Sequence, residues 1–136
     1  MIIGYTQGTF DMFHIGHLNL IQNAKDLCDY LIVGVNSDEL IKEYKNKAPI
    51  IPLYERLSII TALRYVDSAV SVNTLDKTIS QRKYGYQKIF IGDDWKGNER
   101  WKLTEKELKL LGASVIYLPY TENTSSTLLR EKLRDY

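Results

Sequence analysis

The chain has 136 residues, a formal net charge of +1 at neutral pH and one cysteine, Cys28. That length reads as a single domain over residues 1–136, able to bury about two-thirds of its unfolded surface. The balanced charge gives no case for nucleic acid or anionic membrane, one cysteine excludes an internal disulfide, and no run approaches the ~20 apolar residues of a membrane span.

Ile2–Gln7 reads as a first strand and His14–Cys28 as an amphipathic helix behind a glycine turn. Tyr30–Val35 is a buried strand, and Asn36-Ser37-Asp38 caps a short helix that ends near Tyr44. A basic, proline-bearing loop, Lys45–Pro52, leads to a helix over Tyr54–Tyr65, with Leu57, Ile60 and Leu63 at helical spacing. Ser68–Val72 is a third strand, Asp76–Tyr84 a short helix and Lys88–Ile91 a fourth strand. Thr104–Leu111 forms a helix stopped by Gly112, Ser114–Leu118 a fifth strand, and Ser126 to Leu133 a last helix. Strands alternating with helices at this interval imply parallel βαβ units with right-handed crossovers. The fold class is therefore α/β: a Rossmann-like, doubly wound sheet of about five mainly parallel strands with helices on both faces. Ligands of such sheets bind beyond the carboxyl ends of the strands. The turn after the first strand, Asn36-Ser37, Gly92-Asp93-Asp94 and Pro119–Ser126 all follow strands and should meet on that edge.

The turn Gly8-Thr9-Phe10-Asp11-Met12-Phe13-His14-Ile15-Gly16-His17 carries the strongest chemical signal. It places both histidines of the chain three residues apart at a helix start, where they share a face and where free amides attract anions. Two imidazoles and a ring of N–H groups around one spot describe a polyphosphate cradle. The plainer reading makes Asp11 a helix cap and the histidines structural, and it suits one histidine better than two.

These residues resemble the GTFDxxHxGH signature of the cytidylyltransferase branch of the nucleotidyltransferases. The resemblance extends over the whole chain through Tyr30–Glu39, Arg64-Tyr65-Val66-Asp67 and Gly92-Asp93-Asp94-Trp95. It is closest to the small bacterial glycerol-phosphate cytidylyltransferases, which make CDP-glycerol for teichoic acid or capsule. It implies a cytoplasmic homodimer that condenses CTP with an alcohol phosphate, with Arg64-Tyr65-Val66-Asp67 as a dimer contact. Mg²⁺ would ride mainly on the CTP phosphates, with no dedicated protein metal site. By resemblance His14, His17, Lys47 and Arg64 are catalytic. Gly8, Thr9, Phe10, Asp11, Gly16, Lys45, Asp94, Tyr120, Thr121, Ser125, Ser126 and Thr127 contact the nucleotide, and Lys45, Arg56 and Lys77 the acceptor. Taken alone, Lys42, Lys45 and Lys47 would read as a solvated face, and Arg56 and Arg64 as partners of Glu55 or Asp67. A carboxylate at Asp94 could accept from the cytosine amino group.

One segment departs from the pattern. Relatives carry RTEGISTT, whose arginine reaches the triphosphate, whereas this chain reads Tyr120-Thr121-Glu122-Asn123-Thr124-Ser125-Ser126-Thr127. The hydroxyl cluster persists, but a tyrosine carries no charge at neutral pH. Arg130, one turn into the last helix, is the candidate substitute. Two other readings follow: the same chemistry with ATP or with another polyol or amino-alcohol phosphate, or a nucleotide-binding protein with weakened catalysis.

Overall fold

The structure, a computed structural model, describes residues 1–119 and 126–134. Five strands, β1 (Ile3–Gly8), β2 (Tyr30–Asn36), β3 (Ser68–Val72), β4 (Lys88–Gly92) and β5 (Ser114–Leu118), form one parallel sheet in the order β3-β2-β1-β4-β5. Helices α1 (Ile15–Asp26), α2 (Asp38–Lys45), α3 (Leu53–Thr61), α4 (Lys77–Tyr84), α5 (Glu99–Leu110) and α6 (Ser126–Leu133) complete the Rossmann-like, doubly wound arrangement.

Alternation along the strands builds two cores. Leu31, Val33 and Val35 face Ile21 and Ala24 of α1 and Ile60 of α3, with Phe10 and Phe90 alongside. Ile32 and Tyr5 face the other side, against Tyr86, Ile89 and Leu108 of α5. Each face of a parallel sheet must be covered, so both sides of β2 are apolar, as the sequence shows.

Strand order reverses between β1 and β4. Their register holds at Gly4↔Lys88 and Tyr5↔Ile89. Beyond these pairs Thr6 Oγ1 donates to the Phe90 carbonyl at 2.9 Å, and the strand ends part to leave a crevice. That is where such a sheet takes its ligand.

Most boundaries shift by a residue or two from the sequence reading, and three differences bear on the site. Helix α1 begins at Ile15, with His14 as its N-cap. Helix α3 stops at Thr61, where tight bonds from Leu63 N–H to Ile60 and from Val66 N–H to Leu63 close the chain into turns. Arg64 therefore lies past the helix and shares no helical face with Arg56. Helix α5 starts at Glu99, five residues before the expected Thr104, because the Asn98 side chain accepts from Arg100 N–H and Trp101 N–H. Asn98 is a helix cap, and it sets this earlier start.

Candidate active site

A cavity of about 470 Å³ opens at the parted ends of β1 and β4, within the range of small-molecule sites. Gly8, Thr9, Phe10, Asp11, His14, Gly16, His17, Lys45, Lys77 and Asp94 all line it, so most of the anticipated residues converge. The backbone of the β1–α1 turn is unusual. Phe10 and Met12 both take positive φ, 52° and 51°, a conformation that costs non-glycine residues energy and is held where surrounding structure enforces it. Phe10 is buried and sits edge-on to the His17 ring at 5.4 Å. A Cβ on Gly8 would stand 3.2 Å from that Phe10 ring, so glycine gives it room.

The histidines cap α1 reciprocally. Gly16 N–H donates to His14 Nδ1 at 3.0 Å, and His14 N–H donates to His17 Nδ1 at 3.3 Å. An Nδ1 that accepts carries no proton, so each neutral ring keeps its proton on Nε2. The rings stack at 3.9 Å. Burial pushes His14 below the usual histidine range. His17 is pushed down to about 3, first by burial and then by His14, with Asp11 pulling the other way. Both rings are neutral donors near pH 7. The plain reading, that they are structural, is realised through Nδ1, which builds the helix start, and this arrangement leaves Nε2–H outside the cap.

The rim behind them is fastened by buried charge. Asp11 accepts from Ile50 N–H (2.8 Å), Ile51 N–H (2.9 Å) and Arg130 Nη2 (2.6 Å). These donors together hold its carboxyl below the usual range against the opposing effect of burial, the largest single influence. Arg56 is a correction. It is 1% exposed and does not reach the cavity. Its Nε donates to Ile51 O at 2.8 Å, Nη1 to Thr9 O and Asn36 O at 2.8 Å each, and Nη2 to Asp38 Oδ1 at 2.6 Å. It ties the loops after β1 and β2 to the segment before α3, and its ion-pair partner is Asp38, not Glu55.

Three further expectations fall outside the cavity wall. Lys47 is exposed just beyond Asn46, whose φ of 60° ends α2. Arg64 is exposed and donates to the Tyr65 hydroxyl at 2.8 Å, while Asp67 accepts from Lys25 at 2.7 Å and Leu31 N–H at 2.7 Å. Thr127 is exposed on α6. Tyr120, Thr121, Ser125 and the side chain of Ser126 lie outside the described residues.

Gln7, Tyr44, Arg100, Trp101 and Thr104 line the cavity without having been anticipated, beside the expected Asn36, Lys77, Asp94 and Arg130. Gln7 Nε2 donates to Asn36 Oδ1 (2.9 Å) and Thr74 O (3.0 Å), and Asn36 Nδ2 to the Tyr44 hydroxyl (3.2 Å), a polar floor across the ends of β1 and β2. Their place at strand ends was the available signal. Arg100, Trp101 and Thr104 form the α5 wall, and Arg130 joins from α6. Lys77 is buried, donates to Leu75 O at 2.9 Å and stands 5.5 Å above the Trp101 ring. Burial, then the charge of Arg100, pushes it down to about 8. Asp94 is pushed up by burial and by Asp93. Gly92 makes that fold possible, since a Cβ there would stand 2.5 Å from Asp94 Oδ1. Cys28, half-buried and not in the cavity wall, offers no nucleophile to it. No three His, Cys, Asp or Glu side chains group as a metal cage among the described residues, and no described helix is long and apolar enough to cross a membrane.

Comparison with known proteins bears on this geometry. The glycerol-3-phosphate cytidylyltransferase of Bacillus spizizenii is 36% identical over 130 residues, covering 94% of each chain. That of Bacillus subtilis is 34% identical over 134 residues with the same coverage. Among solved structures, a lipopolysaccharide core biosynthesis protein from Thermoplasma volcanium superposes with a TM-score of 0.73 at 27% identity, over 91% of this chain and 99% of that one. The family described as cytidylyltransferase-like matches residues 5–132. A histidine-capped β1–α1 turn in a sheet of this order, with relatives matching almost end to end, leads to one conclusion: the chain belongs to the cytidylyltransferase-like family.

Proposed function

We propose that this chain condenses CTP with sn-glycerol 3-phosphate to give CDP-glycerol and pyrophosphate, serving cell-wall teichoic acid or capsule synthesis in the cytoplasm. An oxygen of the acceptor phosphate attacks the α-phosphorus of CTP, the bond to the β-phosphate bridging oxygen breaks, and pyrophosphate leaves with the charge. Such a transfer needs positioning and charge stabilisation more than a protein nucleophile. The observation that carries the reading is the reciprocal histidine cap, which fixes two neutral Nε2–H donors side by side in the cavity wall. Lys45 and Arg130 add cations along the same wall. Arg130 offers the charge that Tyr120 lacks. Names borne by relatives at 31–36% identity over 94% of this chain support the acceptor.

The cavity suits magnesium carried on the substrate: Asp11 is held by two amides and Arg130, which leaves Asp94 as the carboxylate that could join it. When bound, Mg²⁺ would neutralise triphosphate charge. We also propose a homodimer, with the segment Arg64-Tyr65-Val66-Asp67, whose Arg64 and Asp67 are exposed, as the contact. Light scattering should return about twice the 15.8 kDa of one chain; the single-chain mass at micromolar concentration contradicts it.

Pyrophosphate release across four nucleoside triphosphates and a panel of alcohol phosphates tests the reaction. Turnover confined to CTP with glycerol 3-phosphate, and abolished by chelator, is expected. Preference for ATP or another acceptor reassigns the substrate, and no turnover with any pair leaves a nucleotide-binding protein.

A further inference from the structure

The polar floor of the cavity has a direction. Thr74 O is a backbone carbonyl and can only accept, so the Gln7 atom 3.0 Å from it is the donor Nε2. That fixes the Gln7 amide. Its Oε1 accepts from the buried Tyr5 hydroxyl at 2.7 Å, and its Nε2 also donates to Asn36 Oδ1 at 2.9 Å. Asn36 is fixed in turn: its Nδ2 donates to the Tyr44 hydroxyl at 3.2 Å and, at 3.5 Å, to Thr9 Oγ1. The donors therefore run one way, from Tyr5 through Gln7 and Asn36 to the hydroxyls of Tyr44 and Thr9. Those hydroxyls stand 3.0 Å apart, and the contact between them uses one of their two protons. The other has no acceptor among the described residues and is left for the cavity that both side chains line.

An aryl hydroxyl is a stronger acid than an alkyl one. Facing an anion, the pair therefore settles with Thr9 donating to Tyr44 and Tyr44 donating outward, the stronger donor on the charged acceptor. Asn36 and Thr9 both donate to the Tyr44 oxygen, and the aligned amides behind them polarise its O–H further. We propose that Tyr44 donates its phenolic proton to a phosphate oxygen of the bound substrates, and that Gln7, acting through Asn36, is the positioning residue that keeps this proton free. The inference rests on the reading of the chain as a cytidylyltransferase. The surroundings suit a phosphate: Lys45 Nζ lies 5.6 Å from the Tyr44 ring, and Thr9 belongs to the β1–α1 turn. They do not suit the base that Asp94 would read. Asn36 ends β2, Asp94 follows β4, and β1 lies between these strands.

The test is steady-state kinetics of Tyr44→Phe, Gln7→Met and the double variant with CTP and sn-glycerol 3-phosphate. Calorimetric titration of wild type and Tyr44→Phe with CTP and with glycerol 3-phosphate stands beside it. Tyr44→Phe should lower kcat/KM about tenfold or more, the range of a hydrogen bond to a charged group, with the unfolding midpoint unchanged. A raised CTP KM puts the oxygen on the triphosphate, a raised acceptor KM puts it on the acceptor, and a loss in kcat alone puts it on the phosphoryl group in transfer. Gln7→Met removes the amide without adding charge. It should lose activity several-fold alone, and the double variant should lose no more than Tyr44→Phe does. Parameters of Tyr44→Phe all within about twofold of wild type overturn the donor, and losses that multiply in the double variant overturn the relay. Tyr44→Phe decides the donor even where Gln7→Met does not fold. Should the wild-type protein release no pyrophosphate at all, the enzymatic reading fails, and calorimetry still decides. Weaker binding of either ligand to Tyr44→Phe supports the donor, and equal binding of both overturns it.

Discussion

The two walls of the cavity are built on opposite principles. Around the β1–α1 turn nearly every polar group is already engaged: both Nδ1 atoms cap a helix, Asp11 holds two amides and Arg130, and Arg56 holds three carbonyls and Asp38. On the part of the lining that α4 and α5 supply, Lys77 retains donors and Arg100 is unengaged among the described residues. The first wall is rigid before substrate arrives, which is how a site stabilises charge that develops only in the transition state. The second keeps its charge for a ligand. A change in the first wall should therefore damage the fold or the chemical step, and a change in the second should alter ligand affinity with the fold intact.

The sharpest way to break this contrast is Arg56. Arg56→Ala leaves Asp38 and three carbonyls without their donor and should cost about 3–5 kcal/mol of stability, as breaking a buried pair does. Arg56→Lys should recover only part, since an ammonium cannot reproduce the planar fork. Chemical denaturation measures both, and an unchanged midpoint for Arg56→Ala would remove the clamp from the account.

His14→Ala and His17→Ala come next. Each should lower kcat by about a hundredfold or more, comparable to losing an oxyanion donor. His14→Ala should also lose about 1 kcal/mol of helix capping. Pyrophosphate release within a few-fold of wild type in both variants contradicts their role.

Arg130→Gln is expected to weaken CTP use by ~1–3 kcal/mol, the range for a hydrogen bond to a charged group. Tyr120→Arg in that background should return part of it, because it restores a cation at the position where relatives carry one. If kcat/KM for CTP stays the same in Arg130→Gln, the salt bridge to Asp11 is the whole of its function.

The smallest effect is on pH. The unfolded chain's imidazole takes a proton near pH 6.5, whereas folded His17 does so only near 3. Between those values the unfolded state binds more protons, so stability is fully present above about pH 6.5 and falls as the solution is acidified. His17→Phe should flatten the slope of unfolding free energy between about pH 5 and 6.5, above the range where carboxylates titrate. An unchanged slope would mean that His17 is not held neutral by the fold.

How much of this was legible in the sequence follows from which forces leave a local trace. The strands were readable because a parallel sheet buries both faces of Leu31–Val35, and the cradle because glycine, histidine spacing and a preceding strand coincide in one stretch. Arg56 was not readable as a clamp. Its partners Thr9, Asn36, Ile51 and Asp38 come from three separate loops, so nothing near it in sequence marks it as buried. Arg100 was missed for a local reason: Asn98 caps α5 directly behind Gly97, in a segment that otherwise reads as loop, and the helix start was placed at Thr104. Lys47 entered by its similarity to a lysine pair, and the structure places it exposed, outside the cavity wall, just past the left-handed C-cap Asn46. Lys77 had no motif around it; its value lies in burial beside Trp101, which only packing reveals.

The most direct test of the reaction follows an isotope. Glycerol 3-phosphate labelled with oxygen-18 in its phosphate is incubated with the protein, CTP and Mg²⁺, and the products are weighed by mass spectrometry. The expected result is CDP-glycerol that keeps all of the label and pyrophosphate that carries none, because the acceptor oxygen attacks the α-phosphorus and pyrophosphate is the leaving group. Label in pyrophosphate, or cleavage of CTP without any CDP-glycerol, contradicts nucleotidyl transfer to the alcohol phosphate.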